Sequence, residues 1–173
     1  MNASDVMELY NLLTKNAIDV WLDGGWGVDA LLGKQTRPHE DVDIVIQQKD
    51  VPKLRDLLHS QGYRNVERDD TSAWNFVLGD NKGRLVDVHA IVFDPDGNGL
   101  YGPPEKGIMY PASSLTGNGM IDDQRVRCIS AEYMIKFHSG YTLDQNDVDD
   151  VTALCERFGI ELPEVYRKMV SGI

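Results

Sequence analysis

The sequence predicts an α/β (α+β) fold: a mixed β-sheet flanked by helices, with a small helical region at its C-terminal end. Three observations predict it. Helix-period and strand-period stretches alternate as far as Phe93, two apolar strand-like runs lie on either side of a hairpin-type connection at Gly79 to Gly83, and beyond Ser130 only helical spacing remains. A chain of 173 residues suits one ordinary domain or an α/β domain with a helical annex, and we place the division between residues 1–129 and 130–173.

Val6, Leu9, Tyr10, Leu12, Leu13 and Ala17 recur at helical spacing behind Ser4, a good N-cap type, and predict a helix over residues 4–17. Ile18 to Leu22 reads as a strand, Asp23-Gly24-Gly25 as a turn, and Trp26 to Leu32 as a short helix ended by Gly33, which suits a left-handed cap. Val42 to Gln47 is the second strand. Asp50, with Pro52 in the first turn, opens a helix whose apolar face is Leu54, Leu57 and Leu58 and which stops before Gly62. Trp74 to Leu78 and Arg84 to Phe93 form the hairpin. Asp94 to Gly119 holds four of the seven prolines and reads as a long irregular loop with one short strand near Met109; loops of this length inside compact domains are often functional. Met120 to Ile129 reads as a last hairpin. Ser130 caps a helix through Tyr133, Met134 and Phe137, another runs from Asn146 to Phe158 before Gly159, and Pro163 starts a final one reaching Val170.

The net charge of −11, from 17 basic and 28 acidic residues, excludes a broad nucleic-acid surface, because backbone binding needs clustered Lys and Arg to replace counterions. Cys128 and Cys155 lack metal-ligand spacing and make no disulfide framework, which fits a reducing cytoplasm. Neither a signal peptide nor a membrane span of roughly 20 apolar residues is visible. The expectation is a cytoplasmic protein without nucleic-acid or membrane partners.

Asp41 and Asp43 sit at i and i+2 at the mouth of a strand, so their carboxylates point the same way and can grip one cation. Asp87 and His89 interrupt one face of the apolar run Leu85 to Ile91 at the same spacing. A carboxylate inside such a run is costly unless it is paired or bound to metal. If the two strands are neighbours, three carboxylates converge and require one or two divalent cations among them; Mg²⁺ prefers such hard oxygen ligands and completes its shell with phosphate oxygens. Gly24 and Gly25, lying between a strand and a helix, allow backbone N–H groups and the helix N-terminus to approach a triphosphate. Lys34 and Arg37 could neutralise a leaving pyrophosphate. Each element also has a plainer reading as turn, cap or solvated charge; it is their order along the chain that is specific.

That order, with Trp21-Leu22-Asp23-Gly24-Gly25-Trp26-Gly27-Val28-Asp29, Gly33-Lys34-Gln35, Arg37, His39 and Asp41-Val42-Asp43, resembles the polymerase-beta-type nucleotidyltransferase superfamily and, within it, the small antibiotic nucleotidyltransferases. The similarity to lincosamide nucleotidyltransferases extends to Asp87-Val88-His89 and Phe137-His138-Ser139-Gly140-Tyr141; aminoglycoside nucleotidyltransferases are relatives that match the last motif less well. The resemblance implies a nucleotidyltransferase-type sheet over residues 1–129 and transfer of a nucleoside monophosphate, usually AMP from ATP, to a drug hydroxyl with release of pyrophosphate. It implies Asp41, Asp43 and Asp87 as ligands of Mg²⁺, two ions in number, with Asp87 or His89 as general base. It places Gly24, Gly25, Trp26, Asp29, Lys34, Arg37, His138 and Tyr141 about the nucleotide. Tyr101, Tyr110, Trp74 and Lys136 are further candidates for the pocket, and related small enzymes leave a homodimer open. By that similarity a lincosamide is favoured over an aminoglycoside; the cluster Asp144, Asp147, Asp149 and Asp150 would suit a drug with several positive charges, but a solvated helix N-terminus explains it equally well.

Two other classes compete. Gly25 to Ala30 formally fits a variant dinucleotide fingerprint, but an NAD-binding oxidoreductase wants its ribose-binding acid at the end of the second strand, and no second mononucleotide half follows. An inactive nucleotide-binding partner protein would not need Asp41, Asp43 and Asp87 intact.

Overall fold

The computed structural model describes residues 1–103, 105, 107–139 and 142–171, and its centre is one mixed sheet with strand order β3 (Arg64–Val66), β4 (Asn75–Gly79), β5 (Leu85–Phe93), β2 (Asp41–Gln47), β1 (Val20–Asp23), β9 (Gln124–Cys128) and β8 (Gly117–Ile121). Helix α1 (Ala3–Lys15) comes first; its cap is Asn2 rather than Ser4, in a reciprocal box with Asp5. β1 (Val20–Asp23) runs directly into α2 (Gly24–Leu32). The expected turn is therefore the helix's own first residues: Asp23 caps it, accepting from the Gly24 N–H at 2.9 Å, and Gly33 closes it at φ 72°.

β2 (Asp41–Gln47) and α3 (Val51–Ser60) follow, then β3 (Arg64–Val66), β4 (Asn75–Gly79) and β5 (Leu85–Phe93). β2 pairs with β5 in parallel and with β1 antiparallel, so it is fully flanked, and alternate residues Val42, Ile44 and Ile46 are completely buried. Along its other edge β5 pairs first with β4 and then with β6 (Gly99–Tyr101).

The segment expected as an irregular loop is more ordered than its prolines suggest. β7 (Ile108–Tyr110) fulfils the short strand near Met109, but it pairs with β6, and a 3₁₀ turn at Ala112–Thr116 leads into β8 (Gly117–Ile121). β8 and β9 (Gln124–Cys128) make the last hairpin through Asp122 and Asp123, both at positive φ, the geometry of a tight two-residue hairpin turn.

α4 (Ala131–Phe137), α5 (Gln145–Phe158) and α6 (Glu164–Ser171) complete the chain. α2 lies among β1, β2, β8, α4 and α5, and α6 packs on α5. The buried core runs without interruption from Val6 to Tyr166, whose hydroxyl donates to the His138 carbonyl at 2.6 Å. No helix among the described residues is long and apolar enough to cross a membrane.

Candidate active site

Strand register brings the acidic residues together. Asp23 opposes Asp43 across β1 and β2, and Asp43 opposes Asp87 across β2 and β5, so three aspartates stand side by side on adjacent strands. Like charges placed directly opposite repel. Asp41 lies two residues before Asp43 on the same face, and His89 two residues after Asp87. Ligand atoms of Asp43, Asp87 and His89 all lie within 4.8 Å of one another.

Two cationic side chains moderate the cluster. Arg68, from the segment between β3 and β4, places Nη1 3.3 Å from Asp87 Oδ2 and Nη2 4.0 Å from Asp41 Oδ2. His89 lies 3.9 Å from Asp23 Oδ2 through Nδ1 and 3.7 Å from Asp87 Oδ1 through Nε2, distances of charge attraction rather than hydrogen bonding. Asp87 Oδ1 and His89 Nδ1 are both buried without a hydrogen-bond partner. Asp23 is better satisfied, accepting from Gly24 N–H and from the Tyr110 hydroxyl at 3.1 Å.

Burial raises the Asp43 carboxyl; His89 opposes the rise, Asp41, Asp23 and Asp87 add to it, and the result is about 7. Burial also lifts Asp87, against the pull of His89 and Arg68. For His89, burial favours the neutral ring, but Asp23, Asp43 and Asp87 outweigh it and raise the imidazole to about 9. Burial works against the Asp23 anion too, yet His89 and the Gly24 N–H hold that carboxyl below its ordinary range. A carboxyl raised to about 7 beside a second raised one, with a hard oxygen of Asp87 left unpartnered, is a donor set suited to a divalent cation.

Two cavities border this cluster. A polar cleft of about 410 Å³ is lined by Gly25, Arg37, Pro38, His39, Glu40, Asp41, Asp43 and Asn146. An apolar, aromatic one of about 420 Å³ is bordered by His89, Tyr101, Ile108, Met109, Tyr110, Pro111, Tyr133, Lys136 and Phe137. Asp43 borders the first and His89 the second. At Gly24, φ is +52° and an added Cβ would fall on the Asp43 carboxylate, so helix and strand approach here as only glycine allows.

The structure thus gathers Asp41, Asp43, Asp87 and His89, with Gly24, Gly25 and Arg37 beside them. Trp26 is buried, its ring 4.9 Å from that of His39. Asp29 is buried too: its Oδ2 meets His39 Nε2 at 2.5 Å, and its Oδ1 accepts from the Thr36 N–H and hydroxyl at 2.9 and 2.6 Å. Lys34 and Asp29 border a separate cavity, with Met120 and Asp122. His138 is buried at the C-terminal cap of α4, its Nδ1 2.8 Å from the Met134 carbonyl oxygen. Tyr141 lies outside the described residues. Tyr101, Tyr110 and Lys136 line the aromatic cavity, whereas Trp74 stands near Gly102.

Sequence reasoning missed Asp23, Arg68 and Tyr133 as members of the site. Asp23 carried a signal, since it immediately precedes the double glycine; Arg68 carried none, because its partners lie across the sheet. Of the four acidic residues near α5, Asp144 and Asp147 form a capping box, Asp149 accepts from Gln145, and Asp150 is paired with Arg37 at 2.9 Å.

Comparison with known proteins gives a consistent picture. A family model described as Aminoglycoside-2''-adenylyltransferase matches residues 5–154. A lincosamide resistance protein of Staphylococcus haemolyticus is 32% identical over 150 residues, 87% of this chain and 92% of the relative. A 2''-aminoglycoside nucleotidyltransferase of Escherichia coli is 26% identical over 179 residues, 96% of this chain and 95% of that one. Among solved structures, the lincomycin-bound lincosamide antibiotic adenylyltransferase LnuA is similar with a TM-score of 0.77 and 30% identity, covering 87% of this chain and 94% of that chain. ANT(2'')-Ia in complex with adenylyl-2''-tobramycin shares the fold, with a TM-score of 0.73 and 22% identity over 98% of this chain and 97% of that chain.

Proposed function

The chain belongs to the Aminoglycoside-2''-adenylyltransferase family and is an antibiotic nucleotidyltransferase; from that premise we propose that it transfers AMP from ATP to a hydroxyl of a lincosamide, with Mg²⁺, releasing pyrophosphate. The observation that carries this reading is that the Asp43–Asp87–His89 cluster is bordered by a polar cavity through Asp43 and by an aromatic one through His89. Triphosphate chemistry belongs in the polar cleft, where Arg37, Gly25 and the N-terminus of α2 favour negative charge. A drug with one charge and apolar surface belongs in the cavity of Tyr101, Tyr110, Tyr133 and Phe137.

Asp41, Asp43 and Asp87 would hold Mg²⁺, which when bound neutralises charge on the phosphates and polarises the phosphorus under attack. Asp87 is the group we assign to remove the hydroxyl proton: its carboxyl is raised and its Oδ1 is unpartnered. His89, held protonated by its carboxylate neighbours, borders the aromatic cavity and attracts the Asp87 carboxylate from 3.7 Å. Residues 1–129 then form the catalytic unit, and 130–173 supply part of the walls of both cavities through Tyr133, Phe137 and Asn146. ATP use fits a cytoplasmic location.

An aminoglycoside is the weaker reading. It carries several positive charges, yet Asp144 and Asp147 are engaged in a cap and Asp150 is bonded to Arg37. Incubation with ATP, Mg²⁺ and either lincomycin or tobramycin, followed by mass spectrometry of the drug, is expected to show one adenylyl group on lincomycin. Adenylylated tobramycin beside unchanged lincomycin would overturn the substrate assignment.

Metal binding should also be pH-dependent. Asp43 retains its proton to about 7, so a cation must displace it. Titration calorimetry with Mg²⁺ is expected to give an apparent affinity rising up to about tenfold per pH unit between pH 6 and 7, then flattening. An affinity independent of pH across that range would contradict the assignment of Asp43.

A further inference from the structure

Arg37 is held at both ends of its fork. Nη2 donates to Asp150 Oδ2 of α5 at 2.9 Å, and Nη1 lies 3.0 Å from His39 Nδ1. A guanidinium can only donate, so His39 Nδ1 must accept, and the ring hydrogen sits on Nε2, directed at Asp29 Oδ2 2.5 Å away. The second oxygen of Asp29 is saturated by the Thr36 N–H and hydroxyl. Asp29, His39 and Asp150 are 1%, 7% and 3% exposed, whereas the Arg37 side chain is 30% exposed and borders the polar cleft with Asp41 and Asp43.

Asp29 and His39 therefore have no polar contact left to offer a ligand, while Arg37 keeps unused donors. One N–H remains on each Nη, and the buried Nε has no partner at all. The clamp also packs on the start of α2: a Cβ at Gly25 would come within 2.5 Å of His39 Nδ1 and 3.0 Å of Arg37 Nη2. Helix terminus and guanidinium are thereby fixed relative to each other, both facing one cleft.

We propose that His39 is a positioning residue for the nucleotide: braced by Asp29, it acts with Asp150 to aim the free N–H groups of Arg37 at the polyphosphate. This inference rests on the adenylyltransferase reading above. An unclamped arginine would keep its charge but would have to be ordered on each binding event, so the loss falls on nucleotide affinity rather than on the drug.

The test compares His39→Phe, which keeps a ring and removes both bonds, with His39→Gln, whose amide supplies one acceptor and one donor. Calorimetry with MgATP and steady-state kinetics with ATP and lincomycin are expected to show His39→Phe raising the MgATP Kd and the KM for ATP by about tenfold, with the KM for lincomycin within about twofold. His39→Gln should return most of the loss. Should His39→Phe fail to fold, Asp150→Ala removes the other half of the clamp and carries the same expectation. A folded His39→Phe or Asp150→Ala protein with unchanged MgATP affinity, or with both KM values raised alike, would overturn the inference alone. Wild-type protein that binds no MgATP would overturn the adenylyltransferase reading, and this inference with it.

Discussion

Replacing Asp43 by Asn is expected to lower adenylyl transfer by about 10³-fold, roughly 4 kcal/mol of transition-state stabilisation, without loss of the folded state. Asp43 is the middle member of the row formed with Asp23 and Asp87, and its carboxylate belongs to the group of ligand atoms within 4.8 Å of one another. No neighbouring carboxylate can replace it without moving a strand. Stability should respond in the opposite direction. The folded-state pKa of Asp43, about 7, lies above its unfolded value, so the protonated side chain favours folding at acid pH and that contribution disappears as pH rises through 7. Asn carries no such charge. In EDTA, thermal melts should therefore show Asp43→Asn at least as stable as wild type at pH 6 and distinctly more stable at pH 8. Full activity in Asp43→Asn would remove Asp43 from the site, and a Tm advantage that shrinks with rising pH would contradict the proposed repulsion.

The second large effect is expected at Gly24. Its φ of +52° disfavours any other residue by roughly 1–2 kcal/mol, and an added Cβ would collide with the Asp43 carboxylate. Gly24→Ala must displace either the start of α2 or the central carboxylate, and a shift of about 1 Å in a catalytic group costs on the order of 10²-fold in rate. Gly33 supplies the control. Its φ is +72°, but a Cβ there meets nothing within 4 Å, so Gly33→Ala carries the left-handed cost without the collision. Paired measurements of Tm and kcat should show both variants destabilised and only Gly24→Ala losing about 10²-fold in kcat. Equal rates in the two would mean that the approach of α2 to Asp43 has no catalytic consequence.

Much of this arrangement was legible in the residues themselves. The i, i+2 spacing of Asp41 with Asp43 and of Asp87 with His89 gives one-sided presentation from any strand, so the face was readable even though the pairing of β2 with β5 was not. The glycine pair and Gly33 marked the bounds of α2 to within a residue or two. What escaped depends on partners distant in the chain. β3 and β6 have three residues each, too few for periodicity, and are strands only because β4 and β5 offer them an edge. Asp29 stands beside the glycine-rich turn in sequence, yet helical geometry directs it into the interior, where His39 and Thr36 satisfy it. Arg37 reads as a free cation, but its charge is balanced by Asp150, a residue 113 positions away.

The central claim is that Asp43 and Asp87, with Asp41 beside them, hold a divalent cation against a nucleotide's phosphates. Anomalous diffraction from crystals grown with Mn²⁺ and a non-hydrolysable ATP analogue tests it most directly. The expected result is a Mn²⁺ peak coordinated by Asp43 and Asp87, with the polyphosphate in the cleft of Gly25 and Arg37. Ordered analogue without Mn²⁺ at those carboxylates, or Arg68 still seated between Asp41 and Asp87 with the analogue bound elsewhere, would contradict it.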